Sequence, residues 1–258
     1  MPFLRSGEEQ IIRVKETEVV HQVTDAVDLG FSVPQNVVPA SVYHLSERAG
    51  GRQHIERFSM DRYPVTVCRY ARFVEQGGYE DRDYWDDESW DWKDENNIDA
   101  PRFWHDTNWP LWRRFLRPSR PVVGVSWYEA NAFCRFEGRS LPSEAQWEAA
   151  ARGPSGLIYP WGNEWEDNRV GVRGVGPRVT WPVGYFPQSI APFGHHDMVG
   201  NLWQWTTNPF DDDEQKGAMA VRGGSWASRP EQNRADHWNG YLKDGRHSHV
   251  GFRTIASE

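Results

Sequence analysis

Three histidines stand near the end of the chain: His237, His247 and His249. They fall in the stretch RGGSWASRPEQNRADHWNGYLKDGRHSHVGFR, Arg222 to Arg253, together with Asp236 and Asp244 and without a cysteine. Neutral imidazole is the commonest protein ligand for zinc, copper and iron. On a strand, His247 and His249 would put both rings on one face, and His237 would meet them from a facing strand. Two or three histidines with a carboxylate suit a non-haem iron or copper ion with open coordination positions. The same residues also suit metal-free work, with His237 or His247 as a general base beside Asp236. A plainer use is as exposed loop histidines or hydrogen-bonding groups of the core.

The elements that must position these groups are short. NVVPASVYHLS and HIERFSMDRYPVT read as two strands, with alternation at Ile55, Phe58 and Met60. A helix is expected after Thr66, with Cys68, Ala71, Phe73 and Val74 as its apolar stripe and Gly77–Gly78 as its stop. Residues 79–116 are acidic, carry six of the fifteen tryptophans and lack periodicity, so they read as a long excursion pinned by rings. Ser126 with Glu129, and Ser143 with Gln146, are capping boxes that open two further helices, stopped at Gly138 and Gly153. After residue 153 only turns and short strands are expected. The fold class is therefore α+β, with helices in the first half, irregular strands in the second, and no internal repeat.

Composition narrows the function classes. The 258-residue chain has a mean hydropathy of −0.78 yet carries 15 Trp, 12 Phe and 9 Tyr, so rings must build its core. Its 23 glycines and 17 prolines favour turns over long helices. Net charge is −8 with no basic run, which argues against nucleic acid as a partner. No apolar stretch is long enough to span a bilayer. The first twenty residues are too charged for a signal peptide, so the cytoplasm is the expected location. Cys68 and Cys134 are expected as buried thiols. The sequence does not fix the oligomeric state.

Six motifs carry a resemblance: RYPVTVCRYARFVEQGGY, PVVGVSWYEANAFCRFEGRSLPSEAQWEAAARG, YPWGNEW, GHHDMVGNLWQWT, VRGGSW and VGFR, in that order across roughly residues 55 to 256. Together they resemble the formylglycine-generating enzyme (sulfatase-modifying factor) superfamily. The resemblance implies a C-type-lectin-like fold in one domain over residues 36–258, preceded by an arm or strand over 1–35. It also implies that Trp226 to His249 lines the functional face. Within that segment His237, Asp236 and Arg246 are the catalytic candidates. Trp226, Ser228, Arg229, Arg234, Trp238 and Tyr241 are the ligand-contact candidates, and His237, His247 and His249 form the transition-metal set.

The family serves several functions, and fold alone does not choose between them. Formylglycine-generating enzymes hold copper with two late cysteines, and this chain has none after Cys134. Cysteine-to-formylglycine conversion is therefore not expected. Ergothioneine-type sulfoxide synthases take their iron-binding histidines from an N-terminal helical domain, and the region before residue 55 is too short to hold one. The expectation is an iron- or copper-dependent, oxygen-using oxidoreductase acting on a small molecule or peptide. The alternative is a non-catalytic, lectin-like binding module. Asp197 and Asn201 lie where the family motif is associated with a structural calcium ion, although Gln204 stands where an acid is usual. Asn163, Glu164 and Asn168 are a second, weaker calcium candidate. His195 and His196 are expected on a structural turn. Arg222 and Arg253 are expected in fold ion pairs with Glu148 and Asp197. The acids of residues 84–97 either form a solvated face or select a cationic substrate.

Overall fold

The computed structural model describes residues 34–105, 112–176, 178–210 and 217–256. Nearly all of the expected N-terminal arm lies outside them. Four α-helices occur among the described residues: α1 Val67–Glu75, α2 Asp87–Glu95, α3 Trp127–Phe136 and α4 Glu144–Arg152. Thr66 caps α1 by accepting from the Arg69 amide, and Ser126 and Ser143 cap α3 and α4 through reciprocal bonds with Glu129 and Gln146. The buried face of α1 keeps Phe73 and Val74 of the expected stripe, but Arg69 and Tyr70 take the places expected for Cys68 and Ala71. Arg69 is admitted because Asp61 and Glu137 both pair with it. Helix α2 falls inside the supposed excursion, where Asp86 and Ser89 form a third capping box.

Each of the two early expected strands is two. β1 (Gln35–Val38) and β2 (Ser41–His44) flank Pro39–Ala40, and β3 (Arg52–Ile55) and β4 (Phe58–Asp61) flank Glu56–Arg57. Pro39 has no amide to donate, so one continuous ladder cannot run through it. β2 pairs with β3, while β1 and β4 join β9 (Ile255–Ala256) in a three-stranded sheet. The chain's last described residues thus close onto its first.

A four-stranded sheet, ordered β7-β6-β5-β8, carries the functional segment. Its strands are β5 (Trp203–Pro209), β6 (Ala218–Arg222), β7 (Trp238–Leu242) and β8 (Val250–Gly251). β5 and β8 run parallel, and the other pairs antiparallel. The pleat divides its residues. Gln204 and Arg222 face α4, where they bond Trp147 and Glu148. Trp203, Trp205, Met219 and Val221 face the ring-built core with Tyr70, Phe73, Phe133 and Phe252. Tyr241 lies on that second face, opposite Met219. Gly251 has a physical reason: a Cβ there would sit 2.2 Å from the Val122 carbonyl oxygen.

Candidate functional site

The loop from Lys243 to His249 joins β7 to β8 and is stapled from three directions. Trp127 N at the start of α3 donates to the Lys243 carbonyl (2.9 Å), Gly124 N to the His247 carbonyl (2.9 Å) and Trp203 N to the His249 carbonyl (2.8 Å). The Trp226 indole donates to the Ser248 carbonyl at 3.2 Å. Arg246 anchors the loop's middle. Its Nε and Nη2 each lie 3.0 Å from the Glu129 carboxylate, which is fully buried and also accepts from Ser126 N and the Tyr79 hydroxyl, both at 2.7 Å. Arg246 thus holds the loop through an ion pair and has little left for a reacting group. Glu129 is legible in the sequence only as a cap. No local signal reveals a partner 117 residues away.

The loop delivers His247 and His249 to Tyr241. The Tyr241 hydroxyl lies 3.0 Å from His249 Nε2. The His247 ring centroid is 4.5 Å from that of Tyr241 and 5.5 Å from that of His249. Trp205 meets Tyr241 edge-on at 6.3 Å. All three clustered side chains are half-buried. Burial and the neighbouring His247 push His249 down to about 4, and burial with Arg102 pushes His247 down as well. Burial pushes the Tyr241 phenol up. At neutral pH the group is therefore two neutral imidazoles and a phenol, capable of hydrogen bonding, proton transfer and metal ligation.

The other expected residues divide differently. His237 packs against Trp203 (5.9 Å) and Trp238 (6.3 Å), with no ring contact to the other two histidines. His247 and His249 come together, but from a loop rather than a strand. Among the described residues, no three His, Cys, Asp or Glu side chains gather as a metal-holding group. Asp236 is paired with Arg234 at 2.9 and 2.7 Å, so the two neutralise each other. Ser228 is buried and shares its hydroxyl with Ser225 in a turn. Arg229 is exposed at the start of a 3-10 turn, and Trp238 is exposed with Arg48 over its ring at 5.5 Å. Trp226 stays beside the loop, against Phe115.

Neither the two cysteines nor the Asp197–Asn201 calcium candidate makes an open ion site. Cys68 and Cys134 are free. Cys134 is sealed in the core, and Cys68 is half-buried with its sulfur 3.2 Å from the Thr66 hydroxyl. They do not fit the family's paired-cysteine copper centre. At the calcium candidate, Asp197 Oδ2 accepts from Gly184 N (2.7 Å) and Oδ1 from Asn201 Nδ2 (3.2 Å), while Asn201 Oδ1 accepts from Trp181 N (2.8 Å). Gln204 Nε2 donates to the Asp197 carbonyl at 2.6 Å, and Arg253 Nη2 approaches the same oxygen at 3.3 Å. A guanidinium at that carbonyl and donors on every other oxygen close the arrangement without an ion.

The arginine pairings divide too. Arg222 does pair with Glu148, as the sequence led us to expect. Arg253 instead meets Gln204 Oε1 (2.6 Å) and the carbonyls of Asp61 (3.0 Å) and His196 (2.6 Å). Without a carboxylate in contact, burial pushes Arg253 down to about 10.

His195 on the adjoining turn gives a pH prediction. It is fully buried. Burial, reinforced by Arg253, pushes it to about 3. An unfolded chain takes up this proton near pH 6.5, and the folded chain does not. Stability is therefore full above about pH 6.5 and falls as pH drops toward 3, by about 1.4 kcal/mol per unit from this group. Urea melts from pH 7 to 4 should show this slope, and His195→Gln should flatten it. An unchanged slope would remove His195 as its source.

The fold and site define a C-type-lectin-like α+β domain with a half-buried tyrosine–histidine cluster at one end of its main sheet. The chain belongs to the sulfatase-modifying factor enzyme 1-like domain family, which matches residues 29–258. It is 30% identical over 240 residues to the mouse (Mus musculus) inactive C-alpha-formylglycine-generating enzyme 2, covering 79% of this chain and 76% of that protein. It is 28% identical over 210 residues to the hercynine oxygenase of Mycolicibacterium thermoresistibile, covering 70% of this chain but only 47% of the oxygenase. The structure of PvdO from Pseudomonas aeruginosa superposes with a TM-score of 0.64 at 20% identity, over 87% of this chain and 94% of PvdO. That likeness speaks for the fold alone.

Proposed function

We propose that the chain is a metal-dependent, oxygen-using oxidoreductase that acts on a small molecule or peptide and does not convert cysteine to formylglycine. The observation that carries this reading is the 3.0 Å contact between the Tyr241 hydroxyl and His249 Nε2 at a half-buried, ring-lined face. The kinship with hercynine oxygenase over 70% of the chain supports the oxygen chemistry. When bound, iron or copper would supply oxygen activation. The chain's own residues handle the proton and the ligand. Neutral His249 accepts the Tyr241 hydroxyl proton and orients the phenol oxygen, which keeps a lone pair for a ligand or ion seated against the ring. Trp205 bounds that face and keeps water from one side of it. Two unpaired thiols support a reducing, cytoplasmic setting.

The test is an oxygen electrode, run on iron(II)- and copper(II)-loaded protein with cysteine, histidine betaines and cysteine-containing peptides. We expect uptake with at least one of these, falling by about 10²- to 10⁴-fold in Tyr241→Phe. Binding of one of these compounds without oxygen uptake would replace this reading with the non-catalytic one.

A further inference from the structure

We infer that His247, His249 and Tyr241 form a two-imidazole, one-phenolate site for a first-row transition-metal ion, copper(II) or iron. This site deepens the reading above and rests on it for the reaction the ion serves. It differs from the set expected from the sequence by replacing His237 with Tyr241.

Distance is the first support. Bonds of about 2.0–2.1 Å set neighbouring donors around an ion roughly 2.9–3.4 Å apart. Tyr241 Oη and His249 Nε2 are 3.0 Å apart. With bonds of that length, two imidazoles sharing an ion have ring centroids roughly 4.5–6 Å apart. His247 and His249 are 5.5 Å apart by that measure. Tyr241 is 4.5 Å from His247 and 5.7 Å from His249, so each ring is a neighbour of the other two.

His237 fails the same test. It precedes Trp238, the first residue of β7, while Tyr241 is the fourth residue of that strand. Four residues of extended chain span about 13 Å, and the ring is turned onto Trp203.

The imidazole donors are also available and held, and the Tyr241 hydroxyl oxygen accepts only a long bond from Asn239 Nδ2 at 3.3 Å besides its contact with His249. Among the described residues, Tyr241 is the only hydrogen-bonding partner of the His249 ring, and no hydrogen bond engages the His247 ring. Both histidine carbonyls are fixed by backbone amides, of Gly124 and Trp203. Backbone anchoring of this kind presets ligand positions before the ion arrives. Two nitrogens and one oxygen suit copper or iron and leave positions open for a ligand. On coordination Tyr241 would release its proton to solvent, giving a three-donor site with one negative charge.

The experiment uses the untagged 258-residue chain, stripped with chelator and titrated with copper(II) alone. The expected result is one tightly held equivalent, a spin-resonance spectrum with coupling to two nitrogens, and a visible phenolate-to-copper charge-transfer band. Tyr241→Phe should lose the band and keep the ion, with about 10- to 100-fold weaker binding. His247→Gln and His249→Gln should each lose the two-nitrogen pattern and bind at least 100-fold more weakly, and His237→Gln should match the parent in both respects. Circular dichroism of the apo variants confirms that each is folded. A band that persists in Tyr241→Phe, or copper binding that survives in the folded His247→Gln/His249→Gln double variant, would overturn the site. Copper binding of this pattern without oxygen uptake would leave the site standing and overturn only the oxidoreductase reading.

Discussion

Glu129→Ala is expected to cost about 3–5 kcal/mol, the penalty for leaving a buried partner charge uncompensated. The Glu129 carboxylate is fully buried and serves four donors: Ser126 N, the Tyr79 hydroxyl, and Nε and Nη2 of Arg246. Removing it takes away the half of α3's capping box that holds Ser126 N and strands the Arg246 guanidinium, whose side chain is 13% exposed. Arg246 immediately precedes His247, so the damage reaches the histidine loop. Chemical denaturation should give the stability loss directly. Glu129→Gln separates its parts, because the amide keeps an oxygen for Ser126 N but brings no charge to Arg246. The double variant Glu129→Leu/Arg246→Met removes both charges and should recover much of the stability lost in Glu129→Leu alone. If Arg246→Met instead adds its own full cost to that of Glu129→Leu, the two residues do not act as a pair.

The residues that were legible from the sequence are those whose interactions are local. Ser126 with Glu129 and Ser143 with Gln146 lie three apart, and each pair opened a helix as expected. Asp86 with Ser89 obeys the same geometry, but α2 buries only Ser89 and Lys93 and so shows no clear apolar period. The partners of Arg253 were not legible. They are mostly carbonyls, which carry no side-chain signature. The pairing of His247 with His249 was legible from their spacing. The exclusion of His237 was not, because it depends on how far along β7 Tyr241 falls and on the Trp203 ring that captures His237. The sequence marks Tyr241 only as a ligand contact. Its place against His249 follows from the staples on the loop, two of which join it to residues over a hundred positions earlier.

Glu148→Ala is expected to be at least as damaging, about 3–5 kcal/mol, because Glu148 ties four parts of the chain together. Its Oε2 accepts from Ser46 N (2.8 Å) and Arg152 Nη1 (2.6 Å), and its Oε1 from the Ser46 hydroxyl and Arg222 Nη2. Glu148 and Arg222 are both fully buried. Arg222 also reaches Glu144 at 2.8 Å and the Asp236 carbonyl at 3.1 Å. Arg152 holds the carbonyls of Gly156 (3.0 Å) and Leu157 (2.9 Å). Truncating Glu148 therefore leaves two cations short of a partner and loosens the turn after Ser46, the 156–157 loop and the end of β6 together. Taking two charges out of water is expensive, so the intact pair adds little net stability, although breaking it is severe. Glu148→Ala, the singles Glu148→Leu and Arg222→Met, and their double read this asymmetry. Glu148→Ala should fall well below the parent in urea midpoint. Glu148→Leu/Arg222→Met, with Glu144 left to Arg48 at 3.0 Å, should come closer to the parent than either single change. If the double variant is instead the least stable of the three, the hub contributes attraction in its own right, and α4 is joined to the sheet by charge as much as by the packing of Trp147.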